Sequence, residues 1–325
     1  MQPFQPSFFF KNRHTQTLYS SFFRKLPNLE IEIETFELDD GDFVECHWYN
    51  KPKINSSTPI IILFHGLAGS YKSPYIQGVM SEAKKEGFAS VVMHFRGCSG
   101  KENHLPRAYH SGDSGDALAW IETIQQRYKH SKIFTVGYSL GGNMILKLLG
   151  ELGENSPISA SVSVSAPLQL DICADAIDNG FSKFYQWHLI KALNLSLEKK
   201  YNKHDMESLI NLKKDKVKKI KTFWEFDNIY TAPIHGFDSA QDYYTKCSSK
   251  QFLKDIKTPT LIIHAIDDPF MDTKIIPKKE ELSKHINLEL SENGGHVGFI
   301  GGTFFKPNYW LEKRIVKYFK GYLGE

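Results

Sequence analysis

The stretch Lys132-Ile133-Phe134-Thr135-Val136-Gly137-Tyr138-Ser139-Leu140-Gly141-Gly142-Asn143-Met144-Ile145-Leu146 holds a strand-like run, a Gly-x-Ser-x-Gly turn and a helix start with nothing between them. That order is the sequence form of a nucleophile elbow, which lifts its serine above the edge of a sheet. Gly137 and Gly141 are expected where neighbouring backbone passes too close to tolerate a Cβ. The competing reading is a glycine-rich helix start with Ser139 as a cap. It loses ground because two matching pieces follow downstream.

The first piece is Thr258-Pro259-Thr260-Leu261-Ile262-Ile263-His264-Ala265-Ile266-Asp267-Asp268-Pro269-Phe270, an apolar run that ends in two acids and a proline turn. The second is Ile286-Asn287-Leu288-Glu289-Leu290 followed by Ser291-Glu292-Asn293-Gly294-Gly295-His296-Val297-Gly298-Phe299, a short strand that empties into a glycine-rich loop with one histidine. A serine hydroxyl is a poor nucleophile near neutral pH, so a base such as His296 must take its proton. An acid behind the imidazole fixes its tautomer and stabilises the imidazolium. Asp268, directly before Pro269, is the favoured acid, with Asp267 orienting or capping the turn. The alternative gives Asp267 the catalytic part. A tetrahedral intermediate also needs donors for its oxyanion. Leu140 N–H follows the nucleophile, and His65-Gly66-Leu67-Ala68-Gly69, after the strand Pro59–Phe64, points to Leu67 N–H. This glycine loop lacks both G-x-G-x-x-G and the P-loop lysine, which argues against nucleotide binding.

Ser, Asp and His in that chain order are the arrangement of α/β-hydrolases. The chain resembles their YheT-like branch, also called AB hydrolase family 4. The resemblance rests on Asn12-Arg13-His14-Thr15-Gln16-Thr17, His65-Gly66-Leu67-Ala68-Gly69, Phe95-Arg96-Gly97-Cys98-Ser99-Gly100, Gly137–Asn143, His235-Gly236-Phe237, Asp267-Asp268-Pro269-Phe270 and Gly294–Gly302. It implies a triad of Ser139, Asp268 and His296 and the hydrolysis of carboxylic esters, with no cofactor. It leaves open a transfer of the acyl group to an alcohol, although the His-x4-Asp signature of related acyltransferases occurs nowhere in the chain. A non-catalytic binding protein on the same fold is a third reading, which the intact triad disfavours.

Strands are expected near 31–37, 43–49, 59–64, 88–95, 133–138, 158–165, 260–265 and 287–291, and helices near 74–86, 113–129, 140–151 and 308–321. The first two strands read as an antiparallel hairpin. The later alternation reads as a parallel sheet covered on both faces. The expected fold is therefore α/β: a mostly parallel eight-stranded sheet flanked by helices. Residues 31–166 and 257–325 form its core, 1–30 pack on that core, and 167–256 are an inserted helical cap. Cap aromatics Phe181, Phe184, Tyr185, Trp187, Phe223, Trp224 and Phe226 are candidates to line an acyl pocket, though such spacing also suits ordinary core.

Hydrophobic residues make up 41% of the 325, enough for a sizeable core. Cys46, Cys98, Cys173 and Cys247 show no C-x-x-C spacing, which suits a reducing cytoplasm and argues against a disulfide framework or a zinc site. Cys98 reads as a small buried residue and not a nucleophile. No secretory signal is evident, and no run of 18 apolar residues offers a spanning helix. Between Lys199 and Lys221 nine lysines face three acids, leaving the rest of a +3 chain at −3. The plain reading is a solvated helix face; the sharper one is a cap that leans on anionic lipid headgroups at the inner membrane face. No nucleic-acid motif accompanies the lysines. His47, His94 and His264 lack metal-ligand spacing, so no metal is expected. His235 reads as structural, with a second base as its rival role, and Ser114 reads as a helix cap.

Overall fold

Runs of Val, Ile and Phe too apolar to face water on either side build the middle of the molecule. In the computed structural model, which describes residues 3–324, the fully buried strands are β3 (Ile60–Phe64), β4 (Ala89–Met93), β5 (Ile133–Tyr138), β6 (Ala160–Val164) and β7 (Thr260–Ala265), and the flanking strands are β1 (Ile31–Glu37), β2 (Phe43–Tyr49) and β8 (Ile286–Ser291). These eight make one sheet in the order β1-β2-β4-β3-β5-β6-β7-β8. The β1–β2 and β2–β4 pairings are antiparallel, and the rest are parallel. Side chains alternate between two cores. Ile60, Ile62 and Phe64 face α3 (Gly115–Arg127) and α4 (Leu140–Leu152), whereas Ile61 and Leu63 face α2 (Pro74–Lys85) and α11 (Trp310–Lys320).

In β6 the small residues follow the same logic. Ser163 lies under α4 and its hydroxyl donates to Gly142 O at 3.1 Å, so a larger side chain there would push the nucleophile helix away. Boundaries agree with the sequence expectation to within a few residues. Ser114 does stand at the α3 N-cap position, but its hydroxyl caps nothing and donates to Glu151 of α4.

Two elements were not anticipated. One is α1 (Arg13–Phe23), capped by the Asn12 side chain, which accepts from His14 N–H at 2.9 Å and Thr15 N–H at 3.1 Å. The other is the small hairpin of β9 (Ile300–Gly302) and β10 (Pro307–Tyr309). The N-terminal segment packs on the core through Phe4, whose ring sits 5.4 Å from Phe299 and 5.6 Å from Trp310. Met1 and Gln2 of that segment, and Glu325, lie outside the described residues.

Between β6 and β7 the chain is a helical cap: α5 (Leu170–Ile177), α6 (Ser182–Lys200), α7 (Met206–Ile210), α8 (Phe223–Phe226), α9 (Ala232–His235) and α10 (Ala240–Cys247). It has a core of its own around Ile190, Leu197, Met206, Val217, Phe226 and Tyr230. The lysine-rich run is not one helix face. Lys213, Lys214, Lys216, Lys218 and Lys219 are exposed around the buried Val217 of a 3₁₀ turn. Lys200 instead turns inward and donates to Asn103 Oδ1, Leu105 O and Arg107 O at 3.1, 3.0 and 2.9 Å, tying α6 to the loop before α3.

Candidate active site

Ser139 occupies the sharp turn between β5 and α4 with φ 51° and ψ −118°, a backbone conformation that costs energy for any residue with a Cβ. The turn closes because its neighbours are small. A Cβ on Gly137 would stand 2.2 Å from Gly141 O, and one on Gly141 would stand 2.6 Å from Phe64 O. Ser139 N–H donates to Val164 O at 2.8 Å, which fixes the turn to β6.

The loop after β8 carries His296. Its Nδ1 lies 2.8 Å from Asp268 Oδ2. The other carboxylate oxygen, Asp268 Oδ1, accepts Phe270 N–H at 2.9 Å, so both oxygens are engaged. Phe270 then stacks flat on the imidazole, with ring centroids 4.0 Å apart. Asp267 does something else: it accepts Gly295 N–H at 2.9 Å and so shapes the histidine loop without touching the ring. Burial pushes the Asp267 carboxyl up, against the N–H donors that pull it down. Val297 (φ 59°) and Phe299 (φ 48°) hold left-handed backbone, rare for a β-branched or bulky residue, and this strain is concentrated in the same loop.

α1 is the part that sequence reasoning missed. His296 N–H donates to Thr17 Oγ1 at 3.0 Å, and that hydroxyl donates to Arg13 O at 2.8 Å. Buried Gln16 accepts Ile300 N–H at 2.7 Å and donates to Phe10 O and Ile300 O at 2.8 and 2.9 Å. A Cβ on Gly295 would stand 2.5 Å from Arg13 O, which shows how closely helix and loop meet. The Asn12 cap was the available signal.

Opposite the serine runs His65-Gly66-Leu67-Ala68-Gly69, near enough that a Cβ on Gly66 would meet Ser139 Cβ at 3.2 Å. Two tyrosines hold this loop. Gly66 N–H donates to the Tyr75 hydroxyl at 3.0 Å and Ala68 N–H to the Tyr109 hydroxyl at 2.9 Å. Leu67 stands between those two tethered residues, and Leu140 opens α4, where the first N–H groups have no partner inside the helix. His65 is structural. Its Nε2 accepts Phe95 N–H at 3.2 Å, so Nδ1 carries the proton toward Gly66 O, and burial pushes the ring down to about 4.

Ser139, Leu67, Leu140 and His296 line one cavity of about 560 Å³. Its walls come from α1, the cap and the sheet loops. Phe184, Tyr185, Phe223 and Phe226 line it; Phe181, Trp187 and Trp224 do not.

A model of the α/β hydrolase fold family matches residues 59–303. The chain is also 44% identical over 314 residues to YheT of Escherichia coli (strain K12), covering 97% of this chain and 92% of that one. It belongs to the α/β-hydrolases, in their YheT-like branch. Human phospholipase ABHD3 is 27% identical over 94% of this chain and 75% of its own. The Pyrococcus furiosus esterase Pf2001 shares the fold, with a TM-score of 0.59 at 17% identity over 99% of both chains.

Other sequence candidates in this hydrolase take structural places. Cys98 is half-buried, and burial pushes its thiol up to about 12, so it stays protonated. Arg96 is buried and bridges Asp40, Asp42 and Asp116 at 2.8, 3.2 and 2.6 Å. His235 meets the His110 ring edge-on at 4.6 Å, and its Nε2 is buried without a partner among the described residues. Sequence spacing hid one cluster: ligand atoms of His110, Asp113 and His235 lie within 4.8 Å of one another. Arg107 donates to Asp113 Oδ2 at 2.7 Å, so that carboxylate is already paired with a cation. Among the described residues no helix is long and apolar enough to cross a membrane.

Proposed function

We propose that this hydrolase cleaves carboxylic esters of short or medium acyl chain through an acyl-enzyme on Ser139, with His296 as general base and acid and Asp268 as its orienting carboxylate. The observation that carries the reading is the 2.8 Å bond from Asp268 to His296, whose ring opens onto the same cavity as the elbow serine. Ser139 Oγ attacks the ester carbonyl as His296 Nε2 takes its proton; the N–H groups of Leu67 and Leu140 receive the oxyanion. Collapse expels the alcohol, protonated by His296. A water deprotonated by the same imidazole then frees the acid and restores the serine. The apolar walls and a volume of about 560 Å³ favour an acyl chain over a polymeric or strongly charged substrate. The same reading assigns 31–166 and 257–325 to the catalytic core, 167–256 to the cap that shapes the acyl pocket, and 1–30 to a segment that closes the cavity beside His296.

The test is turnover of 4-nitrophenyl esters from acetate to decanoate. The wild type should hydrolyse them with an optimum at short or medium length, and Ser139→Ala should lower kcat by at least about 10³, the scale on which loss of a triad member acts. Comparable kcat in the folded Ser139→Ala protein refutes the mechanism.

A further inference from the structure

Away from the triad, the cavity runs beneath the cap between apolar side chains such as Leu170, Ile177, Leu189, Leu193 and Phe226. Two acids are among its described lining residues, Glu312 and Asp227, and they differ in one respect. Glu312 is paired with Arg24. Asp227 has no ion-pair partner among the described residues; what faces it is two hydroxyls. Thr231 Oγ1 donates to Asp227 Oδ1 at 2.6 Å, and the Tyr244 hydroxyl donates to Oδ2 at 2.6 Å. A carboxylate offers about four acceptor sites, so roughly half of them are left over.

The backbone at this point is also unusual. Asp227–Thr231 is one turn of π-helix between α8 and α9, a widened geometry that recurs at functional sites. Thr231, Tyr243 and Tyr244 line the cavity with Asp227, making a polar cluster beside the apolar side chains of the cap. That cluster is held in register with the nucleophile helix. Ser111 N–H donates to the Tyr243 hydroxyl at 2.9 Å, and Asn143 of α4 donates to Ser111 O at 3.0 Å and to Cys247 O at 2.8 Å. A buried carboxyl with no counter-charge is costly unless something completes its shell. Burial pushes Asp227 up to about 6, as that cost requires.

We propose that Asp227 is the polar anchor of the substrate pocket, accepting a hydrogen bond from a hydroxyl or ammonium group on the part of the ester that lies beneath the cap. The proposal rests on the ester-hydrolase reading above and adds a substrate class to it: esters that carry a donor at the far end of an apolar chain. A site built around a hydrogen bond rejects an isostere that lacks the donor, because the buried acceptor is then left bare.

The experiment uses two matched series, one for each side of the ester bond. For the acyl side, 4-nitrophenyl 6-hydroxyhexanoate and 6-aminohexanoate are compared with the heptanoate. For the alcohol side, 4-hydroxybutyl and 4-aminobutyl butyrate are compared with pentyl butyrate. KM and kcat are measured for the wild type, Asp227→Asn and Asp227→Leu, with thermal melting to verify the fold. Selectivity is a ratio within one preparation, so it does not depend on the fraction of active protein.

The expected result is a kcat/KM at least tenfold higher for a donor-bearing member of one series than for its apolar isostere, mainly through KM. Asp227→Leu brings that ratio close to one. Asp227→Asn, which keeps an acceptor oxygen without the charge, retains part of a hydroxyl preference and loses an ammonium preference, so the two donors are told apart. Equal selectivity in wild type and Asp227→Leu, or a wild type that prefers the apolar member in both series, overturns the proposal. If the wild type turns over no member of either series, the ester-hydrolase reading itself has failed; turnover without selectivity defeats the anchor alone.

Discussion

Two adjacent acids stand at the end of β7, and their side chains take different work. Asp268 reaches His296 Nδ1 with one oxygen and is fixed by Phe270 N–H at the other, while Asp267 receives the Gly295 N–H. Asp268→Asn keeps the shape of the site, but Phe270 N–H holds the amide oxygen and leaves the NH2 to donate to His296 Nδ1, so the imidazole carries its proton on Nε2 and cannot take one from the serine. We expect kcat to fall by about 10⁴. Asp267→Asn retains an acceptor for Gly295 N–H and should cost far less. The reverse ranking, measured on proteins of equal melting temperature, would move the orienting part to Asp267. The residues of the proposed triad stood out in the sequence because each lies just beyond a strand, and the proline after Asp268 marked where that turn bends. Nothing local announced Tyr75 and Tyr109, since a hydroxyl that tethers a loop 9 or 41 positions away leaves no periodic trace.

At the scale of elements, α1 does for the histidine loop what Val164 O does for the elbow. Its Thr17 hydroxyl accepts His296 N–H and bonds Arg13 O in turn. Thr17→Val keeps the shape and removes both bonds. A shift of the ring by a fraction of an ångström or more should then lower kcat roughly 10- to 100-fold, with KM moved much less. Thr17→Ser should restore most of the rate. A Thr17→Val protein with wild-type kcat, or a Thr17→Ser protein as slow as Thr17→Val, contradicts this positioning part. The strands of the sheet were readable to within a few residues because β-branched runs between turns have few other fates. α1 was not, because its buried face amounts to Gln16 and Tyr19, and a buried glutamine carries no apolar period. The cap was readable as a helical insertion, but its cavity wall was not: Phe223 and Phe226 turn inward while Phe181 and Trp187 stay exposed, and only packing decides between them.

At the scale of the whole molecule, buried neutral imidazoles set an acid limit to stability. Burial lowers His65 to about 4 and His94, His110 and His235 to about 3, from 6.5. Between those values and 6.5 the unfolded chain binds protons that the folded chain refuses, so stability falls as pH drops through that interval. Asp227, raised from 3.8 to about 6, acts with the opposite sign, as do Asp267 and Glu312, which burial also raises, but His14, His47, His204 and His264 are lowered too and side with the four imidazoles. The melting temperature should therefore be lower at pH 5 than at pH 7, and His94→Gln should lessen the drop; an equal or higher melting temperature at pH 5 contradicts this. The most direct test of the central claim is intact-mass analysis after reaction with a fluorophosphonate, read alongside ester hydrolysis. We predict one adduct per chain, mapped to Ser139, with activity lost in proportion to labelling and no adduct on Ser139→Ala. An adduct at another residue, or full ester turnover by the fully labelled protein, would contradict the account.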